Sequence, residues 1–151
     1  MARIALCYSG RPRSYSECFQ NHQTAFGLGN DNVDVFAHLW FDPELTGQPF
    51  RADAPYQGVW PGNNLKRWVE RNWKPKKVVY EKQRDDEWRA KYSDVWNSAH
   101  EKLDPVPGMH PKDHQLGMFY GIKKVMEMKQ EYEKENNFKY DYVVRMRTDL
   151  V

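Results

Sequence analysis

Charged side chains near the C-terminal end of the sequence have the types and spacing of a phosphate and metal site. Arg145, Arg147 and Asp149 occupy alternate positions after the β-forming run 142–144, and alternate residues of an extended chain share one face. Guanidinium groups pair bidentately with phosphate oxygens, and a carboxylate binds hard divalent cations. The spacing therefore predicts a site for a diphosphate and a bridging divalent ion. The alternative is a salt bridge, with either arginine paired to Asp149 or Asp141.

A second group of candidate residues follows the apolar run 3–8 near the N-terminus. The run ends in a turn, and the next segment is predicted to be helical from residue 17. A glycine-containing turn between a strand and a helix offers free amide donors and the positive end of the helix dipole to phosphate. Its candidate residues are Ser9, Gly10, Arg11 and Arg13. The alternative is that the two arginines are solvated loop residues.

The segment 33–40 is almost entirely apolar and is predicted to be a buried strand. His38 and Trp40 share one face near its C-terminal end. Both are candidate ligand contacts. The alternatives are a structural histidine and a core tryptophan.

The order of elements predicts how these residues are brought together. Strands are expected at 3–8, 33–40, 77–81 and from 142, with a helix capped by Ser14 or Ser16 after the first strand and further helices before the third and fourth. This alternation predicts an α/β, Rossmann-like fold with a mostly parallel sheet and helices on both faces. Four turns should then meet at the carboxyl edge of the sheet, namely 9–13, 38–41, 81–84 and 147–149.

Composition limits the classes of function. The chain has 151 residues, a formal net charge of +2 and 15% aromatic residues. We expect one domain, 1–151, with no global field for nucleic acid or a membrane surface. The two cysteines, Cys7 and Cys18, form no disulfide framework or zinc spacing. Since no signal peptide or membrane-spanning run is recognisable, the sequence predicts a soluble, cytoplasmic protein.

Four segments in this order resemble a family of GT-A glycosyltransferases from large viruses, phages and bacterial polysaccharide clusters. The opening 4–13 is similar to the first strand and loop of that family, and 33–40 to its second strand. The segment 115–120 resembles the start of its long helix, and 140–150 the strand that carries its Asp-x-Asp-type metal site.

This resemblance implies a nucleotide-diphospho-sugar donor, with Mn²⁺ or Mg²⁺ near Asp149, which would be both metal ligand and catalytic residue. It also adds Gln115 to the donor-binding residues. The sequence departs from the Asp-x-Asp pattern because Val151 stands where a second carboxylate would be, and Arg147 precedes Asp149 by two positions. It also lacks the acceptor-binding part with which such enzymes continue. We therefore expect the N-terminal half of a GT-A fold.

Three functions remain open at this stage. The first is a glycosyltransferase that moves a sugar from a nucleotide diphosphate to a glycan or another hydroxyl acceptor. The second is a truncated module that binds nucleotide or sugar without turnover. The third is another nucleotide enzyme, such as a nucleotidyltransferase; the lack of a glycine-lysine phosphate loop argues against a kinase.

Overall fold

The computed structural model describes residues 1–50, 58–92 and 113–149. Within them, four strands form one parallel sheet: β1 is Ile4–Gly10, β2 is Val33–Trp40, β3 is Lys77–Glu81 and β4 is Tyr142–Met146. The strand order is β3-β2-β1-β4, so the apolar segment β1 is central. The predicted α/β class and parallel sheet are confirmed.

Helices cover both faces of the sheet. They are α1 (Phe19–Phe26), α2 (Asn64–Asn72), α3 (Asp85–Lys91) and the long α4 (Asp113–Glu135). A short 3₁₀ turn, Pro43–Leu45, follows β2. In the described part of the chain, no helix is long and apolar enough to cross a membrane.

Two cores hold these layers together, because strand residues alternate between the faces. One contains Leu6, Tyr8, Val35, Leu39, Leu65, Val69 and Trp73. The other lies under α4 and contains Ala5, Cys7, Phe36, Val125, Met128 and Tyr140. Burial raises the pKa of the Cys7 thiol to about 12, so this cysteine is a core residue rather than a nucleophile.

The C-terminal half of α4 determines where β4 begins. Glu133 is 2% exposed and lies 2.9 Å from the ammonium group of Lys129. It also accepts a hydrogen bond from the amide of Tyr140 at 3.0 Å. The hydroxyl of Tyr140 donates to Asp34 on β2 at 2.6 Å. These contacts bring the connection after α4 back to the sheet.

The start of α1 differs from the sequence prediction. The helix begins at Phe19, and its N-cap residue Cys18 makes no side-chain capping bond. The prediction of a cap at Ser14 or Ser16 is wrong, because the chain makes an extra turn first. Ser14 has a left-handed φ of 46°, and its carbonyl accepts from the Cys18 amide at 2.9 Å.

The spacing of Trp88, Tyr92 and Trp96 also predicts a helical stripe, and Pro111 predicts the start of the long helix. Trp96, Pro111 and Val151 lie outside the residues that the structure describes.

Candidate functional site

The four strands end at one edge of the sheet, as their parallel order requires. Gly10 pairs with Leu39, Trp40 pairs with Glu81, and Met146 pairs with Tyr8 two residues before Gly10. The turns that follow therefore adjoin each other, which is the usual ligand-binding position in open parallel sheets. The expected convergence of the four turns is confirmed.

Arg11 links the β1–α1 loop to two other segments of this edge. Its Nε donates to Oε1 of Gln83 at 3.3 Å, and its Nη1 donates to the carbonyl of Phe50 at 3.0 Å. Its guanidinium carbon also lies 5.7 Å from the ring centroid of Trp60. Gly10 precedes it with a φ of 118°, a conformation that favours glycine. Arg11 is thus a positioned, partly exposed cation.

The same loop is fixed to the end of β4 by Thr148. Its side chain is 1% exposed, and its Oγ1 lies 2.7 Å from the carbonyl oxygen of Arg13 and 3.1 Å from that of Arg11. The Arg13 guanidinium carbon lies 5.6 Å from the ring centroid of Phe50. One buried hydroxyl therefore places two arginines beside the residues that follow β4.

Beyond β4, Arg147 forms a bidentate ion pair with Asp149. The Nε and Nη2 atoms of Arg147 lie 3.0 and 2.8 Å from the two carboxylate oxygens. The strand ends at Met146, so both residues lie in the turn that follows. Arg145 and Arg147 are exposed, whereas Met146 and Thr148 are buried. In this structure Arg147 therefore forms the salt bridge that was the alternative to a ligand contact.

This ion pair bears on the metal prediction. Both oxygens of Asp149 accept hydrogen bonds from Arg147, and the positive charge of the guanidinium disfavours a cation beside the same carboxylate. Among residues 1–50, 58–92 and 113–149, no three His, Cys, Asp or Glu side chains are grouped as a metal site. Metal binding at Asp149 therefore stays a prediction.

The ends of β2 and β3 carry a different kind of group. Nε2 of His38 lies 2.7 Å from Oε2 of Glu81. The His38 side chain is fully buried, and that of Glu81 is 33% exposed. Burial lowers the pKa of His38 below its usual 6.5, although the hydrogen bond to Glu81 opposes this shift. At neutral pH the imidazole is therefore uncharged.

Aromatic rings surround this pair. The rings of His38 and Trp40 meet edge to face with centroids 4.6 Å apart, so the two residues do share a face. Trp40 is 3% exposed and stacks on Tyr120 of α4 at 5.8 Å. Trp88 of α3 lies 5.1 Å from Tyr120. His38 and Trp40 are both buried, and they contact the partly exposed residues Glu81 and Tyr120.

Two glycines of α4 permit this close packing. A Cβ at Gly121 would lie 3.2 Å from Nδ1 of His38 and 3.6 Å from Cβ of Ser9. At Gly117 it would lie 3.1 Å from the Trp88 ring. Gln115, the remaining candidate residue, is exposed in the first turns of the same helix.

Ser9, His38 and Glu81 lie on adjacent strands, which raises the question of a nucleophilic triad. Ser9 pairs in register with His38 but is only 8% exposed. Nδ1 of His38 has no hydrogen-bond partner in the described part of the chain, so Ser9 is not activated by it. The arrangement lacks the nucleophile–base contact that acyl transfer requires.

Glu81 and Tyr120 are not among the residues that motifs singled out. The sequence signal that could have identified Glu81 is its position as the last residue of a short predicted strand. Its pairing with His38 depends on the register between β2 and β3, which the sequence does not show.

No protein-family model matches the sequence, and neither the curated proteins nor the solved structures gave a significant match. The family resemblance of the four sequence segments therefore stays a prediction.

Proposed function

We propose that this chain binds the nucleotide-diphospho-sugar donor of a glycosyltransferase, which moves the sugar to a glycan or another hydroxyl acceptor. One observation carries this proposal: Thr148 places Arg11 and Arg13 beside the turn that contains Arg147, at the carboxyl edge of a parallel sheet. A diphosphate requires convergent, permanently charged donors at such an edge.

The arginines have two roles in this proposal. They bind the two phosphates, and they stabilise the negative charge that develops on the leaving nucleoside diphosphate. Arg147 would exchange the Asp149 carboxylate for a phosphate group, because each of these anions offers two oxygens to a guanidinium. Gly10 supplies a backbone turn that lets a phosphate approach the main chain. Arg145 and Gln115 are exposed and remain predicted donor contacts.

The role of a divalent metal can be tested separately from donor binding by the arginines. Mn²⁺ or Mg²⁺ at Asp149 would supply Lewis-acid stabilisation of the departing diphosphate. Metal-independent donor binding would mean that the arginines bind the diphosphate without a cation.

The Arg147–Asp149 pair also favours a second candidate function. If the pair persists in the complex, the guanidinium of Arg147 neutralises Asp149 and opposes the binding of a cation there. The chain would then hold a donor without transferring its sugar. Turnover distinguishes this binding module from the enzyme.

Calorimetric titration with UDP-, GDP-, dTDP- and CMP-sugars, with Mn²⁺ and with EDTA, tests the proposal. We expect at least one donor to bind and, in the presence of an acceptor or water, to release nucleoside diphosphate. Binding without release would support the module. Absence of binding by every donor would refute donor recognition, and release of pyrophosphate from a nucleoside triphosphate would indicate a nucleotidyltransferase.

A further inference from the structure

The orientation of the Glu81 carboxylate is fixed by its contact with a buried histidine. Its Oε2 contacts Nε2 of the fully buried His38 at 2.7 Å, while the Glu81 side chain keeps a third of its surface exposed. A charge-assisted contact of this length holds one oxygen firmly. The other oxygen, Oε1, faces the hydroxyl of Tyr120 at 3.4 Å. That longer contact is the one a ligand can replace.

The proton in the His38–Glu81 contact can be placed by elimination. The contact joins a nitrogen to a carboxylate oxygen, so the proton lies on Nε2 and the imidazole donates. Burial disfavours a second proton on the ring. Nδ1 has no partner in the described part of the chain and faces Gly121 and Ser9. His38 is therefore a positioning residue, and Glu81 is left to accept hydrogen bonds.

Two aromatic rings lie beside this acceptor. Tyr120 and Trp88 are half-buried, with ring centroids 5.1 Å apart and ring planes tilted by 36°. The buried ring of Trp40 stacks on Tyr120 with centroids 5.8 Å apart. A half-buried ring that packs on the core can still offer exposed ring surface to the C–H groups of a sugar.

We propose that Glu81, Tyr120 and Trp88 form a subsite for a neutral sugar ring that presents two adjacent hydroxyls. The hydroxyls donate to the Glu81 carboxylate, and the ring stacks on the aromatic surface. The identity of the sugar rests on the proposed function, since a nucleotide-sugar contains both a ribose and a second sugar. The ribose and the second sugar can each present two adjacent hydroxyls.

Charge argues for a neutral occupant. A phosphate would be repelled by Glu81, and the nearby Arg84 already pairs with Glu87. Arg11, Arg13 and Arg147 lie in the loops after β1 and β4. A cation would compete with Lys124, whose ammonium group already lies 5.5 Å from the Tyr120 ring centroid. Hydroxyl donors meet neither obstacle.

The test compares Glu81→Gln with wild type and with Glu87→Gln. Glu87 lies nearby on α3, and its exposed carboxylate pairs with Arg84, so the control makes the same chemical change outside the subsite. The nucleotide probes are UDP, dUDP and UDP-glucose, with GDP, dGDP and GDP-mannose in parallel. Methyl glucoside and methyl mannoside, followed by ligand-observed NMR, report a free sugar.

We expect Glu81→Gln to weaken at least one diol-bearing probe by about tenfold or more, as for loss of a hydrogen bond to a charged group. Glu87→Gln should stay within about twofold, since exposed ion pairs contribute little. An effect on UDP but not dUDP assigns the diol to ribose. An effect on UDP-glucose beyond that on UDP assigns it to the donor sugar. Tyr120→Leu should lose the stacking contribution and weaken binding of the same probes.

The outcomes separate the subsite from the proposed function. If nucleotides bind and Glu81→Gln matches wild type for every probe, the subsite is refuted and donor binding stands. If only methyl glycosides bind and Glu81→Gln loses them, the subsite stands and donor binding is refuted. If no probe binds wild type, both are refuted. Circular dichroism and thermal unfolding of each variant exclude a folding defect.

Discussion

The two halves of the carboxyl edge differ in both charge and construction. On the β1 and β4 side, the charged groups Arg11, Arg13 and Arg147 all lie in turns beyond the strand ends. On the β2 and β3 side, the turn residues Asp42 and Lys82 pair with each other. The candidate ligand contact there is Glu81, a strand residue joined to His38 by a part-buried hydrogen bond. The first half offers cations on loops, and the second offers an acceptor on the sheet itself.

This difference indicates how one edge can discriminate the parts of a ligand. Long arginine side chains on loops can follow a flexible diphosphate, because positive charge tolerates several geometries. A sugar is recognised by directed hydrogen bonds, which need an acceptor held within a few tenths of an ångström. The rigid half is therefore suited to the neutral part of the ligand, and the loop half to the charged part.

The largest expected effect comes from a substitution in the loop after β1. Arg11→Gln should weaken binding of a nucleoside diphosphate by about ten- to a hundredfold, as for one charge-assisted hydrogen bond. Calorimetry measures it. Arg71→Gln is the matched control, because Arg71 lies in the last turn of α2, before β3 and so towards the opposite edge. Equal affinities of the two variants would contradict an anion site at Arg11.

The connection between the loop and β4 can be broken without changing charge. Thr148→Val removes the hydroxyl that bonds the Arg11 and Arg13 carbonyls. We expect the free energy of unfolding to fall by about 1–3 kcal/mol, because buried polar groups lose a partner.

Urea unfolding measures that loss. Thr24→Val, on the exposed side of α1, is the control and should change stability by less than about 0.5 kcal/mol. If both variants are equally stable, Thr148 does not hold the loop.

The buried histidine predicts a pH dependence on the rigid half. The pKa of His38 lies below 6.5 in the folded chain, so below pH 6.5 the unfolded chain takes up the proton first. Stability should therefore fall on acidification and level off below the folded pKa, with a slope of up to about 1.4 kcal/mol per pH unit. Glu81 on β3 and Lys124 on α4 are the charged groups that act on it.

Urea unfolding of wild type and His38→Gln between pH 7.5 and 5 measures this contribution. The variant should show the smaller loss of stability on acidification. Parallel curves would mean that His38 binds its proton equally well in both states.

The smallest expected effect concerns the packing of α4 against His38 at the end of β2. Gly121→Ala places a methyl group 3.2 Å from His38 Nδ1. The crowding should exceed the gain in helix propensity, giving a net loss of about 1 kcal/mol in thermal unfolding. Gly117→Ala should cost a similar amount, because its added methyl group would lie 3.1 Å from the Trp88 ring and 3.2 Å from the movable end of Gln83. An unchanged or raised unfolding temperature for Gly121→Ala would contradict this packing.

Sequence patterns identified the fold better than the contacts within the site. The bounds of β2 and β3 follow from continuous apolar runs, and the shared edge follows from the alternation of strands and helices. The Arg147–Asp149 pair was one of two alternatives, because the spacing of charges does not say whether they bind each other or a ligand. The Glu81 contact was missed because it joins residues 43 positions apart. The start of α1 was misplaced because Ser14 adopts a left-handed turn that serine rarely takes.

The central position of β1 has a consequence for synthesis on the ribosome. β1 is made before the other three strands of this sheet, yet one of its two neighbours is β4. The hydrogen bond from the Arg3 amide to Asp141 spans 138 positions. Until β4 has emerged, one edge of β1 can pair with any other extended segment. Nascent chains stalled before residue 142 should therefore be prone to aggregation or chaperone capture, and those extended beyond β4 should be released.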